Sequence, residues 1–176
     1  MLYRRLLEPE TLRLVIETYQ RNGKAVFLEG EENMYSLNSP PSYKTGWPAV
    51  SGPEDFAPGG KYAGQGVLKF TAYGPVGPER RLLEPALAII EHGRYAEVVP
   101  AGVSKADGMR RVLEALGIPR QDSIAVGDSR NDLPMLAYAG IGVAMGGSPP
   151  EVLDAADRVT GTLAENGVAS VLEELL

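Results

Sequence analysis

The fold of this chain is decided by the stretch Ser123-Ile124-Ala125-Val126-Gly127-Asp128-Ser129-Arg130-Asn131-Asp132. Ser123–Val126 is a short apolar run without alternation, the pattern of a strand buried on both faces of a parallel sheet. Gly127 allows a tight turn. Asp128 then stands just past the strand end, and Asp132 lies one helical turn further on. Open α/β sheets bind their ligands outside the carboxyl ends of the strands, which is where this turn falls.

The segments around it keep a strand–helix rhythm. After the turn a helix is expected through Tyr138, a strand over Ile141–Met145, and a helix from Pro149-Pro150 to about Ala156. A short strand over Arg158–Thr160 and a helix over Asn166–Leu175 follow. Upstream, a helix is expected over Ser104–Leu116. Ser104 is its N-cap, and Asp107 three residues on completes a capping-box pattern. Met109, Val112, Leu113 and Leu116 form its apolar face, Gly117 ends it and Pro119 prevents its resumption. Alternating strands and helices imply a parallel sheet with right-handed crossovers.

The first hundred residues read differently. Helices are expected over Pro9–Arg21, closed by Asn22-Gly23, and from Pro78 to about His92, with Leu82, Leu83, Ala86, Leu87 and Ile90 on one side. His92 then sits at a helix end as a surface residue favourable to the dipole. Strands are expected over Lys24–Glu29, Asn33–Leu37, Val67–Tyr73 and Tyr95–Val99. This predicts a small antiparallel sheet with helices on one face, an α+β unit over residues 1–100 beside an α/β unit over 101–176. Between Asn38 and Gly66 the sequence is rich in Pro, Gly and Ser, including Pro40-Pro41, with Tyr43, Trp47, Phe56 and Tyr62 scattered through it. Such a stretch reads as a functional loop or a flexible insertion.

Composition narrows the chemistry. The chain has 176 residues, a net charge of -6, no cysteine and one histidine, His92. Disulfide scaffolds, thiolate metal sites, cysteine nucleophiles and multi-histidine centres are therefore excluded. An acidic balance, 17 Lys+Arg against 23 Asp+Glu, argues against a nucleic-acid partner. No apolar run approaches the ~18 residues of a membrane span, and a cytoplasmic location is the default expectation.

Asp128, Asn131 and Asp132 make an oxygen-rich cluster near a helix N-terminus. It suits a hard cation such as Mg²⁺, which takes one or two carboxylates together with water and a substrate phosphate. Lys105, at the start of another helix, can add positive charge. Taken singly these residues have ordinary readings: Asp and Asn are common turn formers and caps, a lysine there is usually solvated, and Met135 and Leu136 belong in a core.

In combination they resemble a known family. Val103-Ser104-Lys105-Ala106, then Gly127-Asp128-Ser129-Arg130-Asn131-Asp132-Leu133-Pro134-Met135-Leu136, then Ala139-Gly140-Ile141-Gly142-Val143-Ala144-Met145-Gly146 is similar to the C-terminal half of haloacid-dehalogenase-like (HAD) phosphatases of the Cof-type branch, cap subclass IIB. Ala155–Thr160 and Glu165–Ala169 continue the match. The resemblance implies a partial Rossmann-like HAD core, a parallel sheet with helices on both faces, plus an α+β cap that selects substrates. It implies Mg²⁺-dependent hydrolysis of small phosphate monoesters of sugar-phosphate type. Lys105 would then neutralise the transferring phosphoryl group, Asp128 bind Mg²⁺, Asn131 contact the substrate phosphate, and Asp132 support the metal shell. Ser129 stands where the branch often has Gly, at a position whose backbone should tolerate Ser.

The resemblance also implies an Asp-x-Asp nucleophile motif, and no two aspartates here are so spaced. A covalent route needs that nucleophile. The expectation is a truncated chain, inactive alone, whose Ser123–Val126 strand has a naked edge and recruits a second copy or a complementary N-terminal piece. The alternative is a non-catalytic relative that binds a phosphorylated ligand or a partner chain.

Overall fold

Pro9 opens the first helix, α1 (Pro9–Asn22), at a position where its missing N–H has no intrahelical partner to lose. Gly23 closes it with φ 70°, donating its N–H to the Tyr19 carbonyl at 3.0 Å. Leu12, Val15, Ile16 and Tyr19 recur at helical spacing and are buried. The computed structural model describes residues 3–40 and 46–175. Arg4–Gly102 form one compact unit, and Tyr3 with the chain from Val103 onward forms another.

The N-terminal unit is an antiparallel sheet in the order β2-β1-β3-β5-β4. Its strands are β1 (Val26–Gly30), β2 (Met34–Leu37), β3 (Val67–Tyr73), β4 (Leu87–Glu91) and β5 (Tyr95–Pro100). Val26, Leu28, Phe70, Ala72, Ala96 and Val98 point to one face and join the buried residues of α1 in a single core. Lys24 and Glu79 form an ion pair beside it, with the Glu79 side chain only 6% exposed. Burial alone would raise the Glu79 carboxyl, but its hydrogen bond from Lys24 and those from backbone N–H groups bring it below the ordinary value. Tyr19, buried with no hydrogen bond on its hydroxyl among the described residues, is pushed up to about 12 by burial and by the Glu79 charge.

The helix expected over Pro78–His92 is not formed. Only Arg80–Leu83 (α2) is helical, and Leu87–Glu91 is the edge strand β4. Pro85 is incompatible with a continuing helix, and the following residues pair with β5 through a tight turn at Gly93, φ 79°. His92 therefore lies in a hairpin rather than at a helix end, its side chain 14% exposed and stacked on Tyr95.

The Pro-rich stretch is anchored at a few points, Val50, Gly52 and Asp55 being buried while most of its described residues are exposed; Pro41 and Tyr43 lie outside the described residues. A parallel bridge joins Ala49 to Ser36. Phe56 meets Tyr35 edge-on at 5.1 Å and Tyr62 meets it at a tilt at 4.7 Å between ring centroids. Asp55, 4% exposed, accepts the Ser51 N–H at 2.6 Å.

The C-terminal unit is a parallel sheet in the order β6-β7-β8, with β6 (Ile124–Gly127), β7 (Ile141–Ala144) and β8 (Arg158–Val159). Its helices are α3 (Lys105–Leu116), α4 (Leu133–Tyr138), α5 (Pro150–Ala155) and α6 (Gly167–Leu175). Leu136 and Val152 join Ala125, Ala139 and Ala144 in a small core. The burial expected of β6 needs correction. Ile124 and Val126 are only half-buried, because among the described residues β6 pairs with β7 alone. The apolar side of α3 is largely uncovered, with Leu116 65% exposed and only Leu113 of the helix buried. The capping box is also half made: Ser104 accepts the Asp107 N–H at 3.1 Å, but the Asp107 carboxylate is held by Arg110 and Arg111 instead of turning back.

Candidate phosphate-handling site

The turn after β6 is organised around one carboxylate. Asp132 ends a 3-10 turn over Arg130–Asp132 and its side chain is 2% exposed. One oxygen, Oδ2, accepts the backbone N–H groups of Asp128 and Ser129, both at 3.0 Å. The other, Oδ1, accepts from the ammonium of Lys105, the first residue of α3. Burial pushes this carboxyl up, but the Lys105 hydrogen bond, the two N–H groups and the Lys105 charge more than offset it, so its pKa lies below the ordinary aspartate value. Gly127 is required by the same contact: a Cβ there would sit 2.5 Å from Asp132 Cβ.

Ser129 explains how the turn keeps its shape. Its backbone is extended, φ -140° and ψ 167°, so a side chain is accommodated as expected. The hydroxyl accepts from the Asp132 N–H while Asp132 accepts from the Ser129 N–H, a reciprocal box. The same Oγ lies 2.5 Å from Asn131 Oδ1 and 3.0 Å from Asp132 Oδ2, and its single proton serves one of them at a time. The Ser-x-x-Asp spacing was the available signal for this role, which the sequence reading left unused. Arg130 is tied to Glu151 of α5 at 2.5 Å. Asp157, also unassigned from sequence, accepts the Gly142 N–H at 2.8 Å and so fixes the start of β7.

Lys105, Asp128, Asn131 and Asp132 are thus joined in one local network, with Asp132 at its centre. The Asp128 carboxylate is different: it is exposed and takes no protein partner among the described residues. A hard cation could bind there with a lone pair of Asp132 Oδ1, while Lys105 and Asn131 lie close in the network to meet phosphate oxygens. Among the described residues no three acidic or histidine side chains gather as a metal cage. One or two carboxylates suffice for Mg²⁺, which keeps several waters and shares phosphate oxygens, so the donor set fits that ion.

Residues 81–172 match the family model for haloacid dehalogenase-like hydrolases, and the chain belongs to that family. It is 42% identical over 92 residues to the 5-amino-6-(5-phospho-D-ribitylamino)uracil phosphatase YitU of Bacillus subtilis, an alignment covering 49% of this chain and 34% of that protein. The chain spans about a third of the length of such curated relatives. Its fold matches a HAD subclass IIB sugar phosphatase, BT4131, with TM-score 0.82 at 22% identity, covering 99% of this chain and 69% of the other. A haloacid dehalogenase-like hydrolase from Bacteroides thetaiotaomicron matches with TM-score 0.78 at 27% identity, over 99% and 69% of the two chains. The fold is therefore that of a Cof-type HAD core with its α+β cap. No helix among the described residues is long and apolar enough to cross a membrane.

Proposed function

We propose that this chain supplies the phosphate-handling residues of an Mg²⁺-dependent hydrolase of small phosphate monoesters, of sugar-phosphate type. The observation that carries the reading is the convergence of the Lys105 ammonium and the Asp128–Ser129 backbone on the single carboxylate of Asp132. Phosphatase activity in the relative YitU supports the reaction class. Asp128 would hold the metal, with Asp132 supporting its shell. Mg²⁺, when bound, supplies charge neutralisation on the phosphoryl oxygens. Lys105 places a second positive charge against the transferring group, and Asp132 keeps that ammonium oriented. Asn131, braced by Ser129, hydrogen-bonds a phosphate oxygen.

An aspartyl-phosphate route further requires a nucleophilic carboxylate. The motifs of this chain do not contain one in Asp-x-Asp spacing. We place it on a strand that pairs with the open edge of β6, from a complementary piece. Where that strand is lacking, the edge recruits a second copy, because an unpaired row of N–H and C=O groups is a template for another chain.

The test combines the chain with a segment carrying Asp-x-Asp and follows phosphate release from sugar phosphates with and without Mg²⁺. Metal-dependent turnover that disappears with Asp128→Ala is expected. Turnover with the same Mg²⁺ dependence in Asp128→Ala would refute the metal role, and a stable monomer hydrolysing the ester unaided would refute the strand-pairing role.

A further inference from the structure

The two edges of the N-terminal sheet differ. At the β2 edge the chain covers itself: Ser36 donates its N–H to the Pro48 carbonyl at 2.9 Å and accepts the Val50 N–H at 2.8 Å. At the other edge β4 pairs with β5 alone, and among the described residues no further segment joins its outer side.

The phase of the β4–β5 ladder decides which groups face outward. Opposed residues of an antiparallel pair alternate between those that exchange both backbone bonds and those that exchange neither. Ala101 donates to the Ala86 carbonyl at 2.9 Å and His92 to the Tyr95 carbonyl at 2.8 Å. In the observed register Ala88 and Ile90 fall in the same phase and bond to β5. Leu87 and Ile89 therefore turn their N–H and C=O groups away from β5. Pro100, which has no N–H to give, stands opposite Leu87, as this phase allows.

Open edges are ordinarily blunted by lysine, proline or a bulge. Leu87-Ala88-Ile89-Ile90 has none of these, and its register with β5 runs without a shift. Ile89 lies on the core face beside Val98 and Ile90 on the opposite face, both only partly buried. The one charge in the strand is at its end, where Glu91 meets Arg80 at 3.1 Å. This edge fits a second copy of itself. An antiparallel two-fold register that sets Ile89 against its counterpart also sets Leu87 against Glu91 and Ala88 against Ile90. Outward backbone groups then meet outward groups, apolar side chains meet on both faces, and the two Glu91 carboxylates lie at opposite ends of the contact. Such a contact uses the same patch on both chains and closes at two.

We propose that β4 is a homodimer interface, joining the five-stranded sheets of two copies edge to edge about Ile89. Nothing in this depends on the phosphatase reading, and the contact is separate from the β6 edge, which belongs to the other unit.

The chain has no cysteine, so a single introduced one reports a single contact. In the proposed register the two residues 89 form a bonded pair with Cα atoms about 5.5 Å apart, within the roughly 4.4–6.8 Å that a disulfide spans. Full-length Ile89→Cys, mildly oxidised, should give a covalent dimer. Ile90→Cys should give little, because diagonal counterparts stand roughly 7–8 Å apart. Ile89→Pro removes an outward N–H and none that serves β5, a position where an edge strand tolerates proline. Sedimentation of the parent should show a concentration-dependent dimer, and Ile89→Pro should weaken its association about tenfold or more, since two hydrogen bonds are lost across the two-fold. Thermal unfolding of each variant checks that it folds. A parent that stays monomeric at every concentration, equal cross-linking at positions 89 and 90, or unchanged association in folded Ile89→Pro would overturn the assignment. The cross-link reads β4 whether or not β6 also recruits a chain, and none of these outcomes bears on Asp128-dependent hydrolysis.

Discussion

Lys105 reaches from the first turn of α3 to Asp132 at the end of the turn after β6, and this pair ties the two motif-bearing segments of the C-terminal unit together. Its members differ sharply in exposure, the lysine side chain at 48% and the aspartate at 2%. The aspartate is therefore the anchor, and the lysine is the half of the pair that can also face a substrate. An ammonium so held would be presented to a phosphoryl group already oriented, which reduces the ordering needed on binding.

Replacing Asp132 by Ala should destabilise the C-terminal unit by about 2–3 kcal/mol. The N–H groups of Asp128 and Ser129 lose their acceptor, at a cost of roughly 1–3 kcal/mol for unsatisfied buried groups. Lys105→Ala should cost less, about 1 kcal/mol, because its exposed head is screened by water. Urea unfolding of both variants, followed by signals from this unit, checks the order; an equal loss would show that the backbone contacts add nothing.

Ser129→Ala should lower stability by about 1 kcal/mol, the usual cost of deleting an N-cap hydroxyl. Ser129→Thr should restore most of it. The Asn131 side-chain amide resonances should move in Ser129→Ala and return in the threonine variant, since the hydroxyl contacts Asn131 Oδ1.

Much of this site was legible because its residues are adjacent in sequence. Gly127, Asp128, Asn131 and Asp132 sit on one turn, and the spacing alone places the carboxylates at a strand end. Lys105 was legible as the first residue after an N-cap, though not as the partner of Asp132, because the pairing spans 27 positions. The Leu82–Ile90 stretch misled for a physical reason. Its apolar spacing fits a helix, but Pro85 interrupts that helix and the residues after it pair with β5 across the turn at Gly93, a local signal that the spacing outweighed. His92 changed character with it, from a helix terminus to a hairpin residue stacked on Tyr95. The apolar side of α3 was readable as a helical face; what it packs against was not, since periodicity says nothing of the neighbour.

Acid should unfold the C-terminal unit in a characteristic window. The Asp132 pKa is lower in the folded chain than the ordinary value of 3.8. The folded state therefore binds fewer protons than the unfolded one. Its contribution to stability is complete above that value and is lost as pH falls through the lower, folded pKa. Unfolding free energy measured as pH is lowered from neutrality through the ordinary value of 3.8 and below should show this loss in the parent chain and a smaller one in Asp132→Asn.

In the cap, Glu79→Gln should destabilise the N-terminal unit by about 2 kcal/mol by stranding the Lys24 ammonium, which also donates to the Pro75 carbonyl at 2.7 Å. The double variant Lys24→Met with Glu79→Gln should recover part of that loss. Chemical denaturation of the single and double variants measures the coupling; additive effects would show that the pair contributes nothing of its own.

The central claim, that Asp128, Asn131 and Lys105 jointly meet a metal-bound phosphate, is tested most directly by amide and side-chain NMR of the full chain titrated with Mg²⁺ and inorganic phosphate together. Saturable shifts are expected at Asp128, Ser129, Asn131 and the Lys105 ammonium, abolished by Asp128→Ala and weakened when Mg²⁺ is omitted. Shifts spread elsewhere on the surface, or unchanged in Asp128→Ala, would contradict it.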